Sequence, residues 1–380
     1  MDRVTRGAAG AAPDQTDRGG YGVTTEVRGR IDWVDRARAL SILMVVVLHA
    51  RIELAFLGAS SPTGELIINF ASTMRMPLFF AASGLFAVSW VERRSWRELF
   101  SRKLVLLLWV FAIWQPLVFA YKVAEMLFLP GQPDNTLGTQ LAKVLLAPLR
   151  PNGELWFLWA LALFFVLAKL TSRAPMWARV GIPALFSVVW MSVASSMPEN
   201  VLRVVGDGWE GALRYYVFFA AAVAFSPRIL RFYSEAGRAT LLALLGVWVI
   251  VGGMTSLGII SMHFPGGRFA LCVLGVAGGF ALARLLTWVP GLSRIGSNTL
   301  PIYVAHIPII VACTVPAYLL GFAPAIRSAA GLSIVLLSAT AIAGAWWLHR
   351  GLTRTRLGSF MYAPPARLVR WASGVRATTP

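Results

Sequence analysis

From residue 34 to residue 348 the sequence is a succession of apolar stretches about twenty residues long, separated by short polar breaks. Coiled as a helix at about 1.5 Å per residue, such a stretch crosses a hydrocarbon core roughly 30 Å thick. With 57% hydrophobic and only 14% charged residues, a water-soluble fold would have nowhere to put its apolar side chains. The pattern predicts an all-α, polytopic integral membrane protein with about ten transmembrane helices. They are expected at 34–56, 65–90, 104–128, 153–171, 178–196, 211–226, 239–261, 268–288, 299–321 and 328–348.

The formal charge of +18 suits nucleic acid only if the charge is gathered on an aqueous face, so its placement decides. With the N-terminus placed inside, the inner loops and both tails hold 26 Lys and Arg, against seven in the outer loops, with Arg75 and Lys122 inside spans. This is the positive-inside bias, which puts both termini in the cytoplasm and attributes the basic charge to topology and anionic headgroups. No nucleic-acid partner is expected. Residues 1–30, rich in Gly, Ala, Asp and Arg, read as a disordered basic cytoplasmic tail, residues 31–350 as the membrane domain, and residues 351–380 as a second basic tail. Cys272 and Cys313 lie within spans at no metal-ligand spacing, so neither a metal site nor a disulfide is expected. The stretch LGTQLAKVLLAPLR in the loop 129–152 suits a short amphipathic helix at the outer interface.

An ionisable side chain at the centre of a membrane helix costs about 2.5–3.5 kcal/mol on insertion scales, so the charged and titratable residues within spans are the functional candidates. The first span, RGRIDWVDRARALSILMVVVLHARIE, carries Asp35, Arg38 and His49. Eleven residues between Arg38 and His49 make three turns plus roughly 20°, so the two share a face about 16 Å apart along the axis. Asp35 lies near the same stripe. His306, about seven residues into the ninth span, lies roughly 10 Å deep, and Tyr303 is one turn before it. Two spans could then bring imidazoles to one cavity, where a histidine can take and return a proton near neutral pH. Arg75 stands deep in the second span beside Met76-Pro77, too deep to reach the interface; a counter-ion elsewhere in the chain or a polar cavity would account for it. Ser83-Gly84 reads as a close helix contact rather than a nucleophile. Lys122 and Glu125, three apart, read as a pair reaching the outer interface. Glu154 opens the fourth span at its outer mouth, above Trp156 and Trp159, which fit the interfacial aromatic belt. The inner cations Arg93, Arg94, Arg97, Arg102 and Lys103 could hold donor phosphates or serve topology alone.

Taken together, these pieces resemble the acyltransferase-3 family of integral membrane acyltransferases, whose motif is a basic residue, ten residues, then a catalytic histidine. Arg38 and His49 match it, and MPLFFAASG, LWFLWAL and IGSNTLPIYVAHIP resemble the family's further segments in order. WVDRAR is similar to the sugar O-acetylase branch, without the appended esterase-like domain. Position 75 is Arg where relatives of this branch often carry His before Met-Pro. The resemblance implies transfer of an acyl group, typically acetyl, from cytoplasmic acetyl-CoA to a hydroxyl of a glycan, a glycolipid or a small secreted molecule. It implies a multi-pass protein of the inner or plasma membrane, with acetyl-CoA as co-substrate and no permanently bound cofactor. His49 would be the base or transient acyl carrier and Arg38 its partner; Asp35, Arg75, Glu154, Tyr303 and His306 would support the site or the acceptor, and Arg102 and Lys103 the donor. From the residues alone, a proton-coupled exporter of a lipid or sugar conjugate is the rival.

Overall fold

The computed structural model describes residues 31–130, 136–151, 153–262 and 264–373. The predicted tail at 1–30 lies outside the described residues, as do 374–380. In order, the helices are α1 (Asp32–Phe56), α2 (Pro62–Val88), α3 (Trp96–Leu99), α4 (Val105–Phe128), α5 (Leu137–Leu146), α6 (Trp156–Leu170), α7 (Ile182–Val193), α8 (Glu199–Val205), α9 (Asp207–Ala224), α10 (Ser226–Glu235), α11 (Arg238–Ser256), α12 (Gly267–Leu285), α13 (Leu292–Ser297), α14 (Thr299–Leu319), α15 (Ala323–Ser328), α16 (Ala330–Leu352), α17 (Arg356–Tyr362) and α18 (Ala366–Ser373). Among the described residues there is no strand.

Local chemistry sets several of these ends. Asp32 and Asp35 lie in the first turn of α1, where carboxylates complement the positive end of the helix dipole. Ser61 caps α2 by accepting from the Gly64 N–H, and Pro62 follows at the first helical position, where no backbone donor is needed. Ser95 and Glu98 form a reciprocal capping box that restarts the chain as α3, which continues through a π-helical turn into α4.

Every predicted span coincides with a helix, but the lengths differ. Among the described residues seven helices are long and apolar enough to cross a membrane, or eight if the bent pair α9 and α10 is one span. The sixth expected span falls almost wholly within α9, and the chain turns by 78° into α10 at its end, where Pro227 opens the second helix. The fourth and fifth are shorter than expected, α6 with 15 residues and an apolar helix over Trp177–Val193. At 1.5 Å per residue α6 covers only about 22 Å.

Central helix α1 packs against α2, α12, α13, α14 and α16, and α2 packs in turn on α9 and α12. Such contacts need small residues where backbones meet. A methyl group at Gly84 would stand 2.5 Å from the Phe219 carbonyl oxygen, which seals α2 against α9. On the other side of the bundle α11 and α16 bury little of their length. They turn Leu242, Ile250, Val335 and Leu336 outward, each more than half exposed, a surface that needs lipid rather than water. The chain is a multi-pass membrane protein.

The end of the bundle carrying the arginines is stitched together by polar contacts. Lys169 donates to the Arg94 carbonyl, Arg179 pairs with Glu92 at 3.3 Å, and Arg36 donates to the Ala283 carbonyl at 2.8 Å. Helices α17 and α18 fold back beneath α4. Trp109 and Trp114 donate to the carbonyls of Phe360 and Met361, and α18 rests against α3. At the opposite end α5 is amphipathic as expected, with Leu137, Leu141 and Leu145 exposed and Gln140 buried.

Candidate active site

Two cavities meet inside the bundle. The first, about 200 Å³, opens among α1, α2, α4, α6 and α14 near the basic end, with Arg38, Lys103, Ser83 and Thr299 supplying its polar groups. Arg38 is anchored there from both sides, its Nη1 3.9 Å from the Asp35 carboxylate and its Nη2 donating to Thr299 Oγ1 at 3.0 Å. Phe79 and Phe86 lie against its guanidinium. At the mouth the Trp90 ring sits between two cations, Arg94 4.1 Å and Lys103 5.0 Å from its centroid.

The second cavity, about 150 Å³, lies farther along α1 and is lined by His49, Arg75, Glu154 and Trp156. Phe79, Phe157 and Tyr303 line both cavities and form the wall between them. Their rings interlock, Phe79 to Phe157 at 4.7 Å and Phe157 to Tyr303 at 5.2 Å between centroids. Arg38 and His49 therefore occupy one helix stripe but separate chambers, with an aromatic septum between. In that septum the only polar atom among these three side chains is the Tyr303 hydroxyl, buried beside the Phe157 backbone.

Behind His49 stands His306, fully buried, with ring centroids 5.0 Å apart and planes near perpendicular. His306 Nδ1 faces the carbonyls of Tyr303 and Ile302 at 2.6 and 3.1 Å. A carbonyl accepts only, so Nδ1 carries the proton and the neutral ring keeps its lone pair on Nε2. That Nε2 and His49 Nδ1 are both buried without a partner, leaving the two imidazoles free to share a proton between them.

Of the residues singled out in the sequence, His49, Arg75, Glu154 and Tyr303 share one chamber, with His306 immediately behind. Arg38 and Lys103 share the other, and Asp35 steadies Arg38. Arg102 is exposed and lines neither. Arg75 makes no ion pair with any described residue, so the counter-ion account of this residue does not apply. Lys122 and Glu125 do pair, at 2.7 Å, with Glu125 1% and Lys122 27% exposed. Beside it the sequence reading missed Glu53, 3% exposed with Oε2 unpartnered. Its signal was present, since Glu53 follows His49 by four residues on the same helix face. The septum phenylalanines and Thr299 were missed too, and no sequence pattern marks a phenylalanine as a wall rather than core.

The family profile described as an acyltransferase domain matches residues 31–350. The chain belongs to the acyltransferase-3 family. It is also similar to the inner membrane protein YcfT of Escherichia coli strain K12, 21% identical over 297 residues, which cover 72% of this chain and 78% of YcfT. No solved structure matches the chain.

Proposed function

We propose that the protein transfers an acetyl or other short acyl group from cytoplasmic acyl-CoA to a hydroxyl of a cell-surface glycan, glycolipid or secreted metabolite, across the inner or plasma membrane. The observation that carries this reading is the pair of chambers, one cationic and one imidazole-bearing, that abut at Phe79, Phe157 and Tyr303. The basic end faces the cytoplasm, as the positive-inside bias requires. Arg38, Lys103 and the Arg94–Trp90 stack hold the phosphates and adenine of the donor, and the pantetheine arm runs along the α1 stripe to present its thioester at the septum.

The acceptor hydroxyl enters the second chamber from the opposite side. His49 takes its proton as the oxygen attacks the thioester carbon, so that a C–O bond forms and the C–S bond breaks. The proton held by His49 then passes to the departing thiolate, leaving CoA-SH and the ester. A small turn of the His49 ring would bring its N–H onto the unpartnered Nε2 lone pair of His306, which would fix which ring nitrogen faces the chamber. The Tyr303 hydroxyl, whose oxygen lies against the Phe157 backbone, keeps its proton to donate to the oxygen of the tetrahedral intermediate.

The test compares glycan and glycolipid extracts, by mass spectrometry, from cells lacking the gene and complemented with wild type or His49→Ala. One component should lose an acyl mass in the deletion and regain it with wild type only, with His49→Ala lowering transfer about 10²–10⁴-fold. Full acylation by a membrane-inserted His49→Ala protein would refute the assignment. No acyl difference, together with an unmodified compound retained inside the cell, would favour export.

A further inference from the structure

The part-buried cations Arg51, Lys122, Arg214 and Arg268 come with partners, and part-buried Arg75 does not. Arg51 pairs with Glu65 at 2.6 Å, Arg214 with Glu210 at 2.5 Å and Lys122 with Glu125 at 2.7 Å. Arg268 donates to Ser72 Oγ at 2.7 Å. Arg75 Nη1 is buried with no hydrogen-bond partner among the described residues, and its side chain lines the His49 chamber. Glu154 lines the same chamber yet forms no ion pair with it. A guanidinium partly withdrawn from water without a counter-ion is costly to hold. The chamber thus has a fixed positive site, with a planar fork of donors suited to a carboxylate or phosphate, within a space of about 150 Å³.

Building on the acyl-transfer reading above, we propose that the acceptor is anionic: it carries a carboxylate or phosphate group next to the hydroxyl that is acylated, and Arg75 binds that group. The missing counter-ion arrives with the substrate. Glu154, across the same space, accepts from a second hydroxyl, so the acceptor is held at two points while His49 reaches the third. The small volume puts the anionic group on the acylated sugar unit itself or on its immediate neighbour.

The experiment complements deletion cells with wild type, Arg75→Gln or Arg75→Lys, fractionates the extracts on an anion exchanger, and follows the acyl mass. The component acylated by wild type should be retained on the exchanger in its acylated and unacylated forms alike. Arg75→Gln should lower acylation at least tenfold and Arg75→Lys should recover part of it. Purified Arg75→Gln should still bind acetyl-CoA as wild type does, which separates loss of the acceptor site from misfolding. Carbodiimide amidation removes the retention of a carboxylated acceptor; phosphatase or mild acid removes that of a phosphorylated one. A neutral acylated component, or wild-type acylation by Arg75→Gln, overturns the proposal while leaving acyl transfer intact. Absence of any acylated component overturns both.

Discussion

Gly296→Ala should loosen the anchor of Arg38 from a position no substrate touches. Helix α13 lies so close to the start of α1 that a methyl group at Gly296 would stand 1.7 Å from the Asp35 carbonyl oxygen. Real contacts of this kind are essentially never under 3.0 Å, so the helices must part by about 1.3 Å. The obstacle is backbone, which has no rotamer to escape into, so the upper end of the overpacking range, about 3 kcal/mol, applies. Alanine returns about 1 kcal/mol through its better helix propensity. The net loss of about 2 kcal/mol is roughly a 30-fold change in the folded ratio. Only Asn298 separates α13 from Thr299, so the same displacement can stretch the 3.0 Å hydrogen bond from Arg38 beyond bonding range. Thermal unfolding and acetyl-CoA affinity, measured on protein in lipid nanodiscs, should therefore fall together. Thr299→Val should lower the affinity with little effect on unfolding. Gly246→Ala, in the interior of α11 with open space around its methyl, should leave the affinity unchanged and raise stability by up to about 1 kcal/mol through the same propensity gain. If Gly296→Ala matched Gly246→Ala in both measurements, the close approach of α13 to α1 would be wrong, and the tie from α13 to Arg38 with it.

Two further outcomes follow from buried groups. Lys122→Met leaves the Glu125 carboxylate, 1% exposed, without its partner and should destabilise the protein by about 3 kcal/mol in thermal unfolding; the double change Lys122→Met/Glu125→Leu should recover most of that loss. Phe79→Leu thins the septum at the cost of about 1 kcal/mol of packing. It should raise acetyl-CoA hydrolysis in the absence of acceptor several-fold, read as thiol release, because water in the second chamber then reaches the thioester.

Much of this arrangement was legible in the sequence because lipid makes polar residues expensive. Arg38, His49 and His306 could be picked out against apolar helices, and helical periodicity put the first two on one stripe. Periodicity describes a helix alone, however, and says nothing of what stands beside it. The stripe is interrupted by Phe79, Phe157 and Tyr303, which arrive from α2, α6 and α14 and belong to no local pattern. The sixth span shows the same boundary: its hydropathy places 211–226 as a helix but says nothing of the 78° turn into α10 that follows it beside Pro227. For Glu125 the i, i+3 spacing gives the pairing with Lys122, but its 1% exposure depends on the helices packed around it, which no local pattern records.

The septum also gives a reason for the separation of Arg38 from His49. A thioester in water is open to hydrolysis wherever a base is near, so a transferase working at a membrane must keep its imidazole away from an unaccompanied donor. Had Arg38 and His49 shared one chamber, every bound donor would meet the base at once. On the proposed acyl-transfer reading, three aromatic rings between them would let the acyl group come into reach only at the wall itself, and the water there would be displaced by an acceptor filling a chamber of about 150 Å³. An anion on Arg75, as proposed above, would strengthen that coupling, since its binding would fill the chamber and neutralise the charge in the same event. Selectivity for transfer over hydrolysis would then be set less by the imidazole, which treats water and sugar hydroxyls alike, than by which molecule can occupy the space in front of it.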